Sequence, residues 1–284
     1  MKVKTEIMAG VTTFLTMSYI LAVNPDILSA ASMDKGAVFT ATALAASIAT
    51  LVMAIMAKLP FALAPGMGLN AFFAFTLVQG MGFSWEAALA AVFIEGVVFI
   101  LLTVFNVREL IVNAIPETLR HAISVGIGLF IAFLGLQKAG LIVADPATFV
   151  SLGEFTPSTL LAVGGIVIGG VLVARKVRGA LFYAILIVTV LSIPLGVTRI
   201  PENFSFVSLP HSLEPVFFKL DFHSLLSVNM LVALFSLVFM DIFDTLGTLV
   251  GTANKVGMVK PDGSIPKLKP AMMADAIGTT VGAL

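Results

Sequence analysis

Five polar residues share one apolar run: Asp241, Asp244, Thr245, Thr248 and Thr252, within Phe239–Thr252. Their offsets of i, i+3, i+4, i+7 and i+11 put them on one face of a helix. The other faces are mostly Leu, Val, Phe and Ile. A carboxylate near the centre of a bilayer costs roughly 2.5–3.5 kcal/mol on insertion scales. Two on one stripe therefore require a face turned toward protein or water. Such a carboxylate can accept two adjacent N–H donors side by side, and it can carry a proton. The plainer alternative is a stripe near the inner interface, with the helix ending by Lys255 and the aspartates capping or pairing structurally.

A second segment breaks the bilayer rules differently. Ala64-Pro65-Gly66-Met67-Gly68-Leu69-Asn70-Ala71-Phe72-Phe73 holds Pro65, Gly66 and Gly68. Against alanine in a helix interior, proline costs about 3 and glycine about 1 kcal/mol. The spacing predicts an extended or unwound stretch followed by a helix from about Asn70. The freed backbone N–H and C=O groups are tolerated at membrane depth only where protein or a cavity surrounds them. Broken helices of this kind build midplane sites in many transporters. A tight cytoplasmic loop is the other reading, because Lys58 and Pro60 lie just before.

Weaker signals accompany these two. Glu95 is a lone acid in an apolar run, read either as a proton carrier or as a buried structural acid. Asp275 reads as a residue at the start of a helix, and Glu117, Arg120 and His121 as interfacial anchors. Thr12, Thr13, Thr16, Ser18 and Tyr19 make the first apolar run polar. They either line a cavity or bond to their own helix carbonyls. The glycines at 126, 128, 164, 165, 169 and 170 fit close helix packing.

These residues need elements to hold them, and composition names the medium. The chain has 284 residues, 59% of them hydrophobic and 11% charged. Ordinary soluble domains carry about 25% charged residues, so this chain is a polytopic all-α membrane protein. A net charge of zero points to no nucleic-acid partner. With no cysteine and three scattered histidines, no metal centre or cofactor is expected. The basic N-terminus before an apolar run resembles a secretory signal. Against that, no small-residue cleavage site stands out and similar runs recur along the chain.

A span needs roughly 20 apolar residues. Eight are expected, at about 7–28, 37–57, 62–79, 86–105, 118–137, 158–174, 179–197 and 225–252, with a partial ninth from Ala271 to Leu284. With a cytoplasmic N-terminus, the inside segments hold Lys2, Lys4, Lys58, Arg108, Arg120, Arg175, Lys176, Arg178, Lys255, Lys260, Lys267 and Lys269. Only Lys35, Lys138, Arg199 and Lys219 fall outside. The positive-inside rule predicts this asymmetry, and one missed span would spoil it. Residues 198–224, with Pro201, Pro210 and Pro215, form an extracytoplasmic connection. It divides a seven-span part, 1–197, from a second part, 225–284.

Three strings carry a family resemblance: Thr12-Thr13-Phe14-Leu15-Thr16-Met17-Ser18-Tyr19-Ile20, Ala64 through Phe73, and Phe243-Asp244-Thr245-Leu246-Gly247-Thr248-Leu249. They resemble the adenine/guanine/hypoxanthine permeases of the wider xanthine/uracil (nucleobase–ascorbate) permease superfamily. The resemblance runs from about residue 4 to Leu284. It implies an inverted-repeat transporter of seven plus seven segments, divided into core and gate domains. The third segment would carry a short extended stretch with a half-helix. The eighth would supply an acid that hydrogen-bonds the nucleobase, here Asp244 in Asp244-Thr245-Leu246-Gly247 followed by Thr252-Ala253-Asn254. The polar residue after the third-segment glycines would be Asn70. A tenth segment, expected to bring a second acid, is not in this chain, so the chain is expected to be a fragment.

The resemblance implies secondary active import of purine nucleobases, with a coupling cation expected to be a proton. The expected location is the plasma membrane, multi-pass, with a homodimer as a candidate assembly. Candidate substrate contacts are Asp244, Asn70, Ala71, Phe72, Phe73, Thr245 and Thr13, with Phe72 or Phe73 as an apolar wall for the flat base. Candidate proton carriers are Asp244, Asp241 and Glu95. An anion carrier of the same architecture is the nearer alternative; it would favour positive groups at the half-helix junction. An intramembrane aspartyl enzyme is the remote one, since it needs carboxylates on separate helices and the conspicuous pair shares one.

Overall fold

Capped apolar runs set the helices. The computed structural model describes residues 3–107, 116–177, 179–198, 208–223, 225–255, 257–258 and 265–284. Lys2, Arg108, Arg178, Arg199, Lys260 and most of the first half of the 198–224 connection lie outside the described residues, as do the side chains of Glu117, Arg120, His121 and Lys255. The helices are α1 (Val3–Met17), α2 (Ile20–Ser29), α3 (Lys35–Met56), α4 (Met67–Ala71) running on as a π-helix (Phe72–Gly80), α5 (Trp85–Val104), α6 (Glu117–Lys138), α7 (Pro157–Ala174), α8 (Ala180–Ser192), α9 (Val228–Lys255) and α10 (Leu268–Gly282). Five stretches among the described residues are long and apolar enough to cross a membrane: Val3–Ser29, Lys35–Met56, Trp85–Val104, Pro157–Ala174 and Val228–Ala253.

Local chemistry explains several ends. Asp34 caps α3 by accepting from the Ala37 N–H at 2.7 Å. Ser84 caps α5 and Thr156 caps α7 in the same way, each at 3.2 Å. Just past the C-terminal ends of α3, α5 and α7, Lys58, Asn106 and Lys176 adopt the left-handed backbone. Such a residue after the last turn closes off a helix.

The described residues fall into two compact units, each discontinuous in sequence. One holds residues 1–19 and 129–209, the other 20–128 and 210–284. In the first, α7 and α8 pack on each other. Ile142–Asp145 (β1) and Phe149–Leu152 (β2) add an antiparallel hairpin with Asp145 opposite Phe149. Sequence periodicity did not anticipate it. At its turn, the N–H groups of Thr148 and Ala147 and the Thr148 hydroxyl hold the Asp145 carboxyl below its usual range.

In the second unit α10 packs against both α3 and α5. Small residues make that possible. A side-chain carbon on Gly96 would lie 2.4 Å from Oγ1 of Thr280, and one on Gly278 would lie 2.8 Å from Cβ of Ala49. Without a hydrophobic drive between helices in lipid, such close backbone approach supplies the packing. α10 begins at Leu268, three residues before the expected Ala271, which places Asp275 in mid-helix and not at its start.

Between α3 and α4 the backbone runs without helix from Lys58 to Gly66. Ala57, Leu59 and Phe61 are buried while Lys58 and Pro60 are exposed. The stretch is pinned at Leu63, whose N–H donates to Oγ1 of Thr50 at 3.0 Å while its carbonyl accepts from the same hydroxyl at 3.2 Å. One hydroxyl thus serves both backbone groups of a residue with no helical partners. Thr50→Val is expected to lower the unfolding midpoint of the detergent-solubilised protein, since each orphaned group costs about 1–3 kcal/mol. Thr50→Ser should stay near wild type, and equal midpoints for all three proteins would refute the pinning.

Candidate functional site

The break delivers a helix start into the protein. Gly66 caps α4 without a side chain, and the first helical bond runs from the Asn70 N–H to the Gly66 carbonyl at 3.0 Å. The N–H groups of Met67, Gly68 and Leu69 have no carbonyl within the helix. The helix starts at Met67, three residues before the expected Asn70. α4 packs against α2 and α9.

From α9, Asp244 reaches this junction. A side-chain carbon placed on Gly66 would stand 2.9 Å from Oδ2 of Asp244. Only a residue without Cβ lets the carboxylate sit here unshifted. An anionic group beside a helix start is favoured by the helix dipole. The carboxylate thus brings acceptors to a junction where the first turn of α4 supplies N–H donors.

Thr245 of the polar stripe meets another helix. Thr245, 4% exposed, donates its hydroxyl to Oδ2 of Asp275 on α10 at 2.7 Å, with Oδ1 of Asp241 at 3.4 Å. Asp241 is 4% exposed and Glu95, on α5, 1% exposed. Thr248 instead bonds the Asp244 carbonyl of its own helix at 2.9 Å. The sequence reading of Asp275 as a helix-start residue is thus corrected: it is bonded across to Thr245.

Asn70 joins a different set. Its Nδ2 donates to Oδ1 of Asn24 on α2. Nδ2 of Asn24 donates to Oγ1 of Thr42 on α3 at 2.8 Å, and Thr42 donates to the Val38 carbonyl at 2.7 Å. Sequence reasoning missed Asn24 and Thr42. The available signal was an amide directly before Pro25 in an otherwise apolar run.

Ala71 and Phe73 are buried, Phe73 in an apolar cluster with Ala74, Leu77 and Leu237, while Phe72 packs half-buried against that cluster. Thr13 belongs to the other unit, where its hydroxyl donates to the Ala9 carbonyl at 3.0 Å. Thr12 and Thr16 bond their own helix likewise.

Comparison with known proteins shows the family of the chain. Residues 4–284 match the profile described as "Permease family" (Xan_ur_permease). The chain belongs to this permease family. It is 42% identical over 280 residues to the adenine permease AdeP of Escherichia coli, covering 98% of this chain and 62% of that protein. It is 42% identical over 293 residues to the guanine/hypoxanthine permease PbuG of Bacillus subtilis, covering 99% of this chain and 66% of that one. A second Bacillus subtilis relative, the guanine/hypoxanthine permease PbuO, is 40% identical over 288 residues, again 99% of this chain and 66% of the relative. The chain thus spans a little under two thirds of the length of these relatives. Like other members of the permease family, it is a helical, multi-pass membrane protein.

Within this permease the Gly66–Asp244 contact can be tested by coupling. Gly66→Ala should displace the Asp244 carboxylate, the far end of a flexible side chain, and lower the unfolding midpoint modestly, near the low end of the about 1–3 kcal/mol that overpacking costs. In an Asp244→Ala background most of that loss should vanish, since the obstructed group is gone. Purely additive effects of the two substitutions would contradict the contact.

Proposed function

We propose that the protein is a secondary active transporter that imports purine nucleobases of the guanine, hypoxanthine and adenine class across the plasma membrane by proton symport. The observation that carries this reading is the Asp244 carboxylate set against Gly66 at the start of the helix after the break. A neutral purine presents N–H donors beside ring-nitrogen or carbonyl acceptors. A carboxylate matches the donors, and the unbonded N–H groups of a helix start match the acceptors. Asp244 is the principal substrate contact. Asn70, Ala71, Phe72, Phe73 and Thr245 are the further candidates, and Asp241 and Glu95 the secondary proton carriers. The adenine and guanine/hypoxanthine permeases among the relatives support the substrate class.

The architecture in this reading is a pair of inverted seven-segment repeats. The first covers 1–197, an extracytoplasmic connection covers 198–224, and the second begins at 225, with the N-terminus cytoplasmic. An anion carrier of the same plan is disfavoured by the carboxylate at the junction, where like charge would repel the cargo. Asp244→Ala in the full-length protein should reduce labelled hypoxanthine uptake to background at unchanged membrane abundance; near-normal uptake would sink the assignment. Collapsing the pH gradient should abolish accumulation, whereas unchanged accumulation would point to another driving ion.

A further inference from the structure

Asn24 and Thr42 are 3% and 2% exposed, so protein groups must satisfy both. The relay they form has a fixed sense. The Val38 carbonyl can only accept, so the Thr42 hydroxyl gives it its one proton. Oγ1 of Thr42 is then left to accept, which turns Nδ2 of Asn24 toward it. Oδ1 of Asn24 consequently faces Asn70, and an amide oxygen takes only a donor, so Nδ2 of Asn70 turns inward. Each step follows from the donor and acceptor capacity of the group before it. The backbone of α3 thereby dictates the orientation of an amide on α4.

We infer that Asn24 is a positioning residue that, through Thr42 and the Val38 carbonyl, holds the Asn70 amide with Oδ1 left for the substrate, so that the site offers the base an acceptor there and selects bases bearing an N–H at that edge. The inference rests on the reading of Asn70 as a substrate contact. An unpinned amide can rotate and offer either its oxygen or its nitrogen. A pinned one presents its oxygen without reorientation, so replacing the matching N–H by N–CH₃, which can neither donate nor accept, costs most there. Neither Asn24 nor Thr42 needs to touch the base.

The test is competition against labelled hypoxanthine uptake by the full-length protein, in cells without purine uptake of their own. The competitors are hypoxanthine, 7-methylhypoxanthine and 9-methylhypoxanthine. In wild type at least one methylated base should compete at least about tenfold more weakly than hypoxanthine, because a site built to bond an N–H discriminates against its loss. In Asn24→Leu and Thr42→Val that ratio should fall about threefold or more, because a loosened amide loses its preorganised acceptor and can yield to the methyl group, while Thr42→Ser, which keeps the relay, retains it. The ratio does not depend on how much protein reaches the membrane, so a merely structural role would lower uptake and leave the ratio unchanged. If Asn24→Leu does not accumulate, the nearly isosteric Thr42→Val carries the test. Equal competition by all three bases in wild type, or wild-type discrimination in a loosened variant, overturns the inference. Near-normal uptake by Asp244→Ala would instead overturn the purine-transport reading itself.

Discussion

A backbone that leaves the helix inside a membrane must find partners in the protein, because lipid supplies none. The stretch from Lys58 to Gly66, outside any helix, is held at Leu63. Thr50 serves both backbone groups of Leu63, and the burial of Leu59 and Phe61 anchors the segment on its apolar side. Once that stretch is held, the helix start at Met67 is fixed in place. The approach of Asp244 to Gly66 and the attachment of Asn70 to Asn24 both follow from where that helix begins. Remove the pin and the polar groups of α2, α4 and α9 have no reason to converge.

Packing around the break uses the opposite strategy. α10 lies so close to α3 and α5 that Gly96 and Gly278 have no room for a side chain. Close backbone contact fixes helix positions without needing large interdigitating side chains. It also brings Asp275 within a hydrogen bond of Thr245. One hydroxyl proton there faces two carboxylate oxygens, at 2.7 Å and 3.4 Å, and can serve only one of them at a time.

Much of this was legible in the sequence, for identifiable reasons. The stripe from Asp241 to Thr252 showed because helical periodicity exposes costly groups on one face. The break at Pro65–Gly66 showed because both residues are poor in helices. Periodicity does not say which helix a polar face meets, so Asp275 read as a helix-start residue and Asn24 went unmarked. Thr50 was invisible for a different reason: threonines in apolar helices usually bond their own backbone, as Thr12, Thr13 and Thr16 do here. The hairpin at Ile142–Leu152 has strands of only four residues each, too short to carry a periodic signal.

The lysines at the helix ends join two demands that are normally treated apart. Nζ of Lys269 donates to the Val104 carbonyl at 3.3 Å and to Oδ1 of Asn106 at 2.5 Å, closing the C-terminal end of α5 from the start of α10. Lys58 and Lys176 close α3 and α7 through their own left-handed backbones. Basic residues at such positions suit the negative end of the helix dipole, and basic loops also bias which side of a membrane a segment takes during insertion. At Lys269, orientation during biosynthesis and stability after folding therefore draw on the same charge. A change that redirects insertion by removing Lys269 also takes a donor from the end of α5, whereas asparagine at 58 or 176 would close α3 or α7 without a charge, as Asn106 does for α5.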